Sequence, residues 1–95
     1  MNQLIPLLTQ LAHDCGAEKL ILFGSRARGD HWERSDIDLA VFGMPEEQQT
    51  RFWCGIDELP TLLKFDLVFV DAYTSPDLRK EIDRDGVILY ENQTR

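Results

Sequence analysis

GSRARGDHWERSDID, residues 24–38, is the stretch on which the reading of this chain turns. Its small-residue pair, Gly24-Ser25, follows directly on an apolar run, Leu20-Ile21-Leu22-Phe23. Its last acids, Asp36 and Asp38, open a second apolar run, Leu39-Ala40-Val41-Phe42. Lys19 to Phe23 reads as a buried strand feeding a tight turn. Ser25, a favoured N-cap residue, can start a short helix through Arg28, which Gly29-Asp30 breaks. A loop through His31 and Trp32 then leads to Ser35. Asp36 to Phe42 reads as a second strand. Side chains alternate along a strand, so Asp36, Asp38 and Ala40 share one face and Ile37, Leu39 and Val41 the other. The apolar set faces a core. The two acids stand together on the opposite side, roughly 7 Å apart at Cα.

Upstream, Leu4, Leu8, Leu11 and Cys15 recur at spacings of three and four, the stripe of an amphipathic helix ending near Gly16. His13 lies off that stripe, on a solvated face. Downstream, Gly43-Met44-Pro45 is a turn into a helix with Pro45 at N1 and Glu46 and Glu47 at the positive end of its dipole. Phe52, Ile56 and Leu59 give this helix its apolar stripe, Trp53 is a core or interface aromatic, and Pro60 limits its length. Lys64 to Asp71 is a third strand: Asp66, Val68 and Val70 share one face, Phe65, Leu67 and Phe69 the other, and Asp71 is a strand-end acid. Ser75 caps a last helix with Pro76 at N1, running through Arg84 and stopping at Gly86. Val87 to Tyr90 is a fourth strand. The expected fold is therefore α+β: one domain over residues 1–95, with helices packed on a mixed four-stranded sheet.

The net charge is −7, from 17 acids against 10 bases. This argues against a nucleic-acid polymer as the main ligand, because backbone binding needs a basic surface. Lys19, Arg26, Arg28 and Arg34 gather in or beside the opening stretch, so a small anion can still be held locally. Cys15 and Cys54 stand far apart with no metal-ligand spacing. They read as small half-buried apolar residues in a reducing compartment, not as a zinc site or a disulfide. The N-terminal stretch has no basic n-region and is interrupted by polar residues. It is expected to be neither a signal peptide nor a membrane span, and the protein is expected to be cytoplasmic.

Two phosphate motifs fail. Gly24 and Gly29 have the glycine gap of a Walker A loop, but Asp30-His31 follow where Lys and Ser or Thr are required, and GxGxxG is absent. What remains is Gly24-Ser25, ten residues, then Asp36-Ile37-Asp38. Gly24 lets backbone N–H groups approach a phosphate, and Ser25 adds a hydroxyl at a helix N-terminus. Asp36 and Asp38 can bind hard divalent cations through oxygen, with Asp66 as a third ligand from a neighbouring strand. Two such metals about 3.5–4 Å apart clamp the attacking and leaving oxygens of an in-line displacement. Attack of a hydroxyl on the α-phosphate of a nucleoside triphosphate needs mainly positioning and charge neutralisation, which these parts supply.

Gly24-Ser25-x10-Asp36-x-Asp38 followed by Asp66 resembles the signature of the DNA polymerase β-type nucleotidyltransferases. With the ending EIDRDGVILY (residues 81–90), the chain resembles the minimal, stand-alone form of that superfamily. The resemblance implies the nucleotidyltransferase fold. It implies that Asp36 and Asp38 bind two Mg2+ ions, that Asp66 helps bind the catalytic one and activates the acceptor hydroxyl, and that Gly24 and Ser25 hold the triphosphate of ATP. Arg26 and Arg28 occupy positions where the family often carries basic residues. Larger members add a domain for base and acceptor. Minimal members resembling this chain pair instead with a small helical HEPN-class protein, often as antitoxin to its toxin, and transfer AMP to a toxin tyrosine. An acidic chain suits a basic, RNA-binding partner. Two alternatives stay open at this point: an antitoxin that acts by binding alone, and the catalytic half of a two-protein small-molecule nucleotidyltransferase.

Overall fold

The computed structural model describes residues 3–24, 27, 29 and 36–92. Helix α1 spans Ile5–Asp14, strand β1 Lys19–Phe23, β2 Ile37–Phe42, α2 Glu46–Asp57, β3 Phe65–Val70, α3 Pro76–Asp85 and β4 Val87–Glu91. The strands form one sheet in the order β3-β2-β1-β4. β1 runs antiparallel to both β2 and β4, whereas β2 and β3 are parallel. A parallel pair requires a crossover, and α2 supplies it. The sheet is mixed and the fold is α+β, as the order of the sequence patterns implied.

The alternation read along β2 and β3 divides the structure into two cores. Ile37, Leu39, Val41, Leu20 and Leu22 face α1 and α2, where they meet Leu8, Ala12, Phe52 and Ile56. Phe52 is fully buried and stands edge-on to Phe69, with ring centroids 6.4 Å apart. On the other face Ile21, Phe23 and Ala40 pack under Ile82 of α3, with Leu78, Val68 and Val70 at the margin. Asp38 and Asp66 belong to this second face.

The element ends follow local chemistry. α1 closes with Cys15 as C-cap and Gly16 at φ +78°. The Gly16 N–H donates to His13 O at 3.1 Å and the Ala17 N–H to Ala12 O at 3.0 Å, the paired bonds of a Schellman motif. Pro45 is the N-cap of α2 and not its first helical residue, because its ψ of 141° is extended. Its carbonyl accepts the Gln48 N–H at 2.9 Å. Pro76 does open α3, with Ser75 as N-cap, but the Ser75 hydroxyl makes no capping hydrogen bond. Asp71 ends β3 in a turn, its Oδ1 accepting the Tyr73 N–H at 2.8 Å.

Some side chains differ from the expectation. Cys15 is buried, but Cys54 is exposed on the outer side of α2, not half-buried; both are free thiols. Trp53 is exposed beside it and is not a core residue. His13 is solvent-facing, as its place off the stripe implied, with its ring edge-on to Tyr90. Among the described residues no helix is long and apolar enough to cross a membrane.

Candidate active site

The acids come together through strand order. Asp38 faces Phe23 across the antiparallel β1–β2 pair and stands level with Asp66 across the parallel β2–β3 pair. Asp38 and Asp66 thus stand in one row on adjacent strands, and Gly24, the turn residue just past the end of β1, lies beside Asp38. Asp36 lies one residue before β2, exposed at the rim of the row. The Ile37 N–H donates to Lys64 O at 2.8 Å and ties the head of β2 to the approach of β3.

Gly24 sits at φ +76°, in the left-handed region that glycine adopts without steric cost. The Asp38 carboxylate lies against its Cα: a Cβ there would overlap Asp38 Oδ2 and stand 3.2 Å from its Cγ. The backbone turn and the acid are thus fitted to each other. A glycine at this point serves the close approach of the carboxylate as well as the turn.

Asp38 is half-buried, and its pKa is raised above the ordinary carboxylate value. Burial is the main cause, followed by the charges of Asp66, Asp36 and Glu81 and a side-chain hydrogen bond with Asp66. Three neighbouring acids therefore act on Asp38. Among the described residues, no group of three or more Asp, Glu, His and Cys side chains yet converges on one point to hold a metal ion. The donor set nevertheless fits a hard divalent cation. It consists of carboxylate oxygens alone, and a cation among them would offset both the burial of the Asp38 charge and the neighbouring acids that add to its raised pKa.

Glu81 escaped the sequence reading. It precedes Ile82, which α3 buries against β1 and β2, and its charge acts on Asp38 from above the sheet. A signal was available. Leu78, Glu81 and Ile82 share the i, i+3, i+4 stripe of α3, so Glu81 is an acid on the packed side of that helix. Ser25, Arg26, Arg28, Arg34, His31 and Trp32 lie outside the described residues. Of the short helix expected from Ser25, only Ala27 is described, in helical conformation.

On the β3 side of the row a cleft of about 300 Å³ is lined by Asp36 and Asp66 with Asp57, Thr61, Leu63, Lys64 and Phe65. A cleft of about 380 Å³ lies at the opposite end of β2 and β3, between Val41, Glu46, Phe69 and Asp71. It is far from the fitted pair of Gly24 and Asp38.

Known proteins share this architecture. The model of the family described as polymerase beta, nucleotidyltransferase, matches residues 5–95. A protein of Methanocaldococcus jannaschii named as a putative protein adenylyltransferase is 36% identical over 74 residues, covering 76% of each chain. A toxin–antitoxin structure solved with AMP-PNP superimposes with a TM-score of 0.68 at 23% identity, over 94% of this chain and 74% of that one. The Shewanella oneidensis complex of a tri-AMPylated HEPN toxin with its MNT antitoxin gives a TM-score of 0.63 at 23% identity, over 98% and 75%. Sheet order, the fitted glycine and acid, and the match along nearly the whole sequence agree: the chain belongs to the polymerase beta nucleotidyltransferase family and is a nucleotidyltransferase.

Proposed function

We propose that this protein is a magnesium-dependent adenylyltransferase that moves AMP from ATP onto a tyrosine hydroxyl of a small helical HEPN-class partner, and that it acts as that partner's antitoxin. The observation that carries the reading is Asp38 level with Asp66 on adjacent strands, with Gly24 packed against Asp38 at the turn after β1 and Asp36 at the rim. The name of the M. jannaschii relative supports AMP as the transferred group and a protein as its acceptor. The shared fold of the antitoxin bound to a tri-AMPylated toxin supports the class of partner. The net charge of −7 suits a basic one.

In this reading Gly24 gives the triphosphate close access to backbone N–H groups, with Ser25, Arg26 and Arg28 adding a hydroxyl and positive charge. Asp36, Asp38 and Asp66 would hold two magnesium ions, which when bound would supply charge neutralisation on the phosphate oxygens. Asp66, on the outermost strand, orients the acceptor hydroxyl and takes its proton. The acceptor oxygen then bonds to the α-phosphorus as the bond to the bridging oxygen breaks, and pyrophosphate leaves with its charge compensated. Positioning accounts for most of the acceleration, because phosphoryl transfer asks little covalent chemistry of a protein.

The test is an intact-mass measurement on this chain co-purified with its neighbouring helical protein, incubated with ATP and magnesium. The partner is expected to gain one or more AMP units. The gain should vanish on chelation and in Asp36→Ala and Asp38→Ala, which leave the apolar face of β2 untouched. A tight complex with no mass change on either chain would refute transfer and leave inhibition by occlusion.

A further inference from the structure

We propose that Glu81 of α3 is a positioning residue of the nucleotidyltransferase site: it stands over Asp38 and accepts hydrogen bonds from the water shell of the divalent cation that Asp38 would hold, so that the helix as well as the sheet grips that cation. The inference rests on the magnesium reading above and adds to it an acid that comes from a helix and not from the sheet.

The packing of α3 sets the place of this acid. Ile82 is buried against Ile21, Phe23 and Ala40. Phe23 is the register partner of Asp38, and Ala40 follows Asp38 by two residues on the same face of β2. Ile82 is thus seated beside Asp38, and Glu81 comes immediately before it. The end of the helix is fixed on the same sheet: a Cβ on Gly86 would stand 2.7 Å from Ile21 Cγ2, and the Gly86 N–H donates to Ile82 O at 2.8 Å. Of the acids of α3, which are Asp77, Glu81, Asp83 and Asp85, Glu81 is the one whose charge is felt at Asp38.

The fold gives Glu81 no counter-charge. It is half-buried, and among the described residues it makes no hydrogen bond or ion pair. Arg84, one turn further along α3, turns to Asp85 instead: its Nε donates to Oδ1 at 3.1 Å and its Nη2 to Oδ2 at 3.0 Å. A carboxylate held among carboxylates is unfavourable until a cation joins them. Direct ligation by Glu81 does not fit, because among the described residues no three acids converge on one point. Magnesium binds through one or two carboxylates and keeps several of its waters, so an acid at one remove meets those waters. Outer partners of this kind hold the inner ligands in place, and their loss costs about 10–100-fold in metal affinity.

The test titrates Mn2+, a hard cation that takes the same oxygen ligands as magnesium, into the full chain without nucleotide or partner, with free Mn2+ read by electron paramagnetic resonance. Glu81→Gln should weaken Mn2+ binding at least about tenfold, while its Tm in chelator equals or exceeds that of wild type. Asp83→Asn removes the same charge from an exposed position two residues on and should bind Mn2+ as wild type does. Glu81→Asp keeps the carboxylate and should recover part of the loss. If Glu81→Gln is unfolded in chelator, Glu81→Ala makes the same comparison. With the natural partner, Glu81→Gln should raise the magnesium concentration for half-maximal AMP transfer by a similar factor and leave the ATP KM at saturating magnesium in place. Wild-type Mn2+ affinity in Glu81→Gln, or an equal loss in Asp83→Asn, would overturn the inference. Failure of the adenylyltransferase reading shows separately, as wild-type protein that binds Mn2+ and labels no acceptor, and the Mn2+ titration then still decides the role of Glu81. Wild-type protein that binds no Mn2+ would overturn both.

Discussion

Replacing Gly24 with alanine separates the two things this glycine does. The first is to hold φ at +76°, a left-handed conformation that costs a non-glycine residue about 1–2 kcal/mol, partly offset by the lower entropy of the unfolded chain. Gly16 calibrates that cost. Its φ is +78°, and a Cβ there meets Pro45 Cδ at 3.5 Å, an ordinary contact. Gly16→Ala is thus expected to lose about 1 kcal/mol, or about 4–8 °C in Tm for a domain of this size, and to keep its activity. Gly24→Ala carries the same backbone cost and a second one, because its Cβ would overlap Asp38 Oδ2. The carboxylate must retreat by about 1 Å, and a misplacement of that size costs about a hundredfold in rate. Thermal melts and single-turnover AMP transfer on both variants make the comparison. The reasoning fails if Gly24→Ala transfers AMP at the wild-type rate while melting with Gly16→Ala.

Three other perturbations test the site and its frame. The raised pKa of Asp38 means that the folded protein binds this proton more tightly than the unfolded chain does. Its contribution to stability is therefore lost as pH rises from the unfolded value through the raised folded one. Chelated Asp38→Asn should be more stable than wild type at neutral pH and lose that advantage on acidification, by urea denaturation at several pH values; a constant difference would contradict the penalty that burial and the neighbouring acids place on ionised Asp38. Magnesium should raise the Tm of wild type and leave that of Asp38→Asn nearly unchanged, which scanning calorimetry reports. Phe52→Ala, which empties a fully buried position against Phe69, should cost about 3–5 kcal/mol in equilibrium unfolding.

The two-residue period of β2 and β3 was fully legible. Ile37, Leu39 and Val41 face one core and Ala40 the other, because alternation is a property of the backbone and not of what packs on it. The pairing was less so. No local pattern states that β3 lies beside β2 with Asp66 level with Asp38, since strand order depends on a crossover whose direction is settled by packing. The fit of Asp38 against Gly24 was invisible for the same reason: it joins two strands through their register. Glu81 is harder to see in the sequence because the capping residues of α3 mark its ends and not which of its acids lies on the packed side with Leu78 and Ile82. Pro45 misled because a fixed φ suits the N-cap as well as N1, and only ψ separates them.

The placement of Asp38 and Asp66 on different kinds of strand has a mechanical consequence. β2 has a hydrogen-bonded neighbour on each side, and β3 has one only. An interior strand exchanges its amide protons chiefly when the whole sheet opens, whereas an outer strand can do so by peeling. The acid fitted to the turn is thus anchored to the global stability of the protein, and the acid facing the open side is anchored to a strand that can yield. The stiff half of the site keeps its shape between turnovers, and the compliant half can adjust to the depth at which each acceptor arrives.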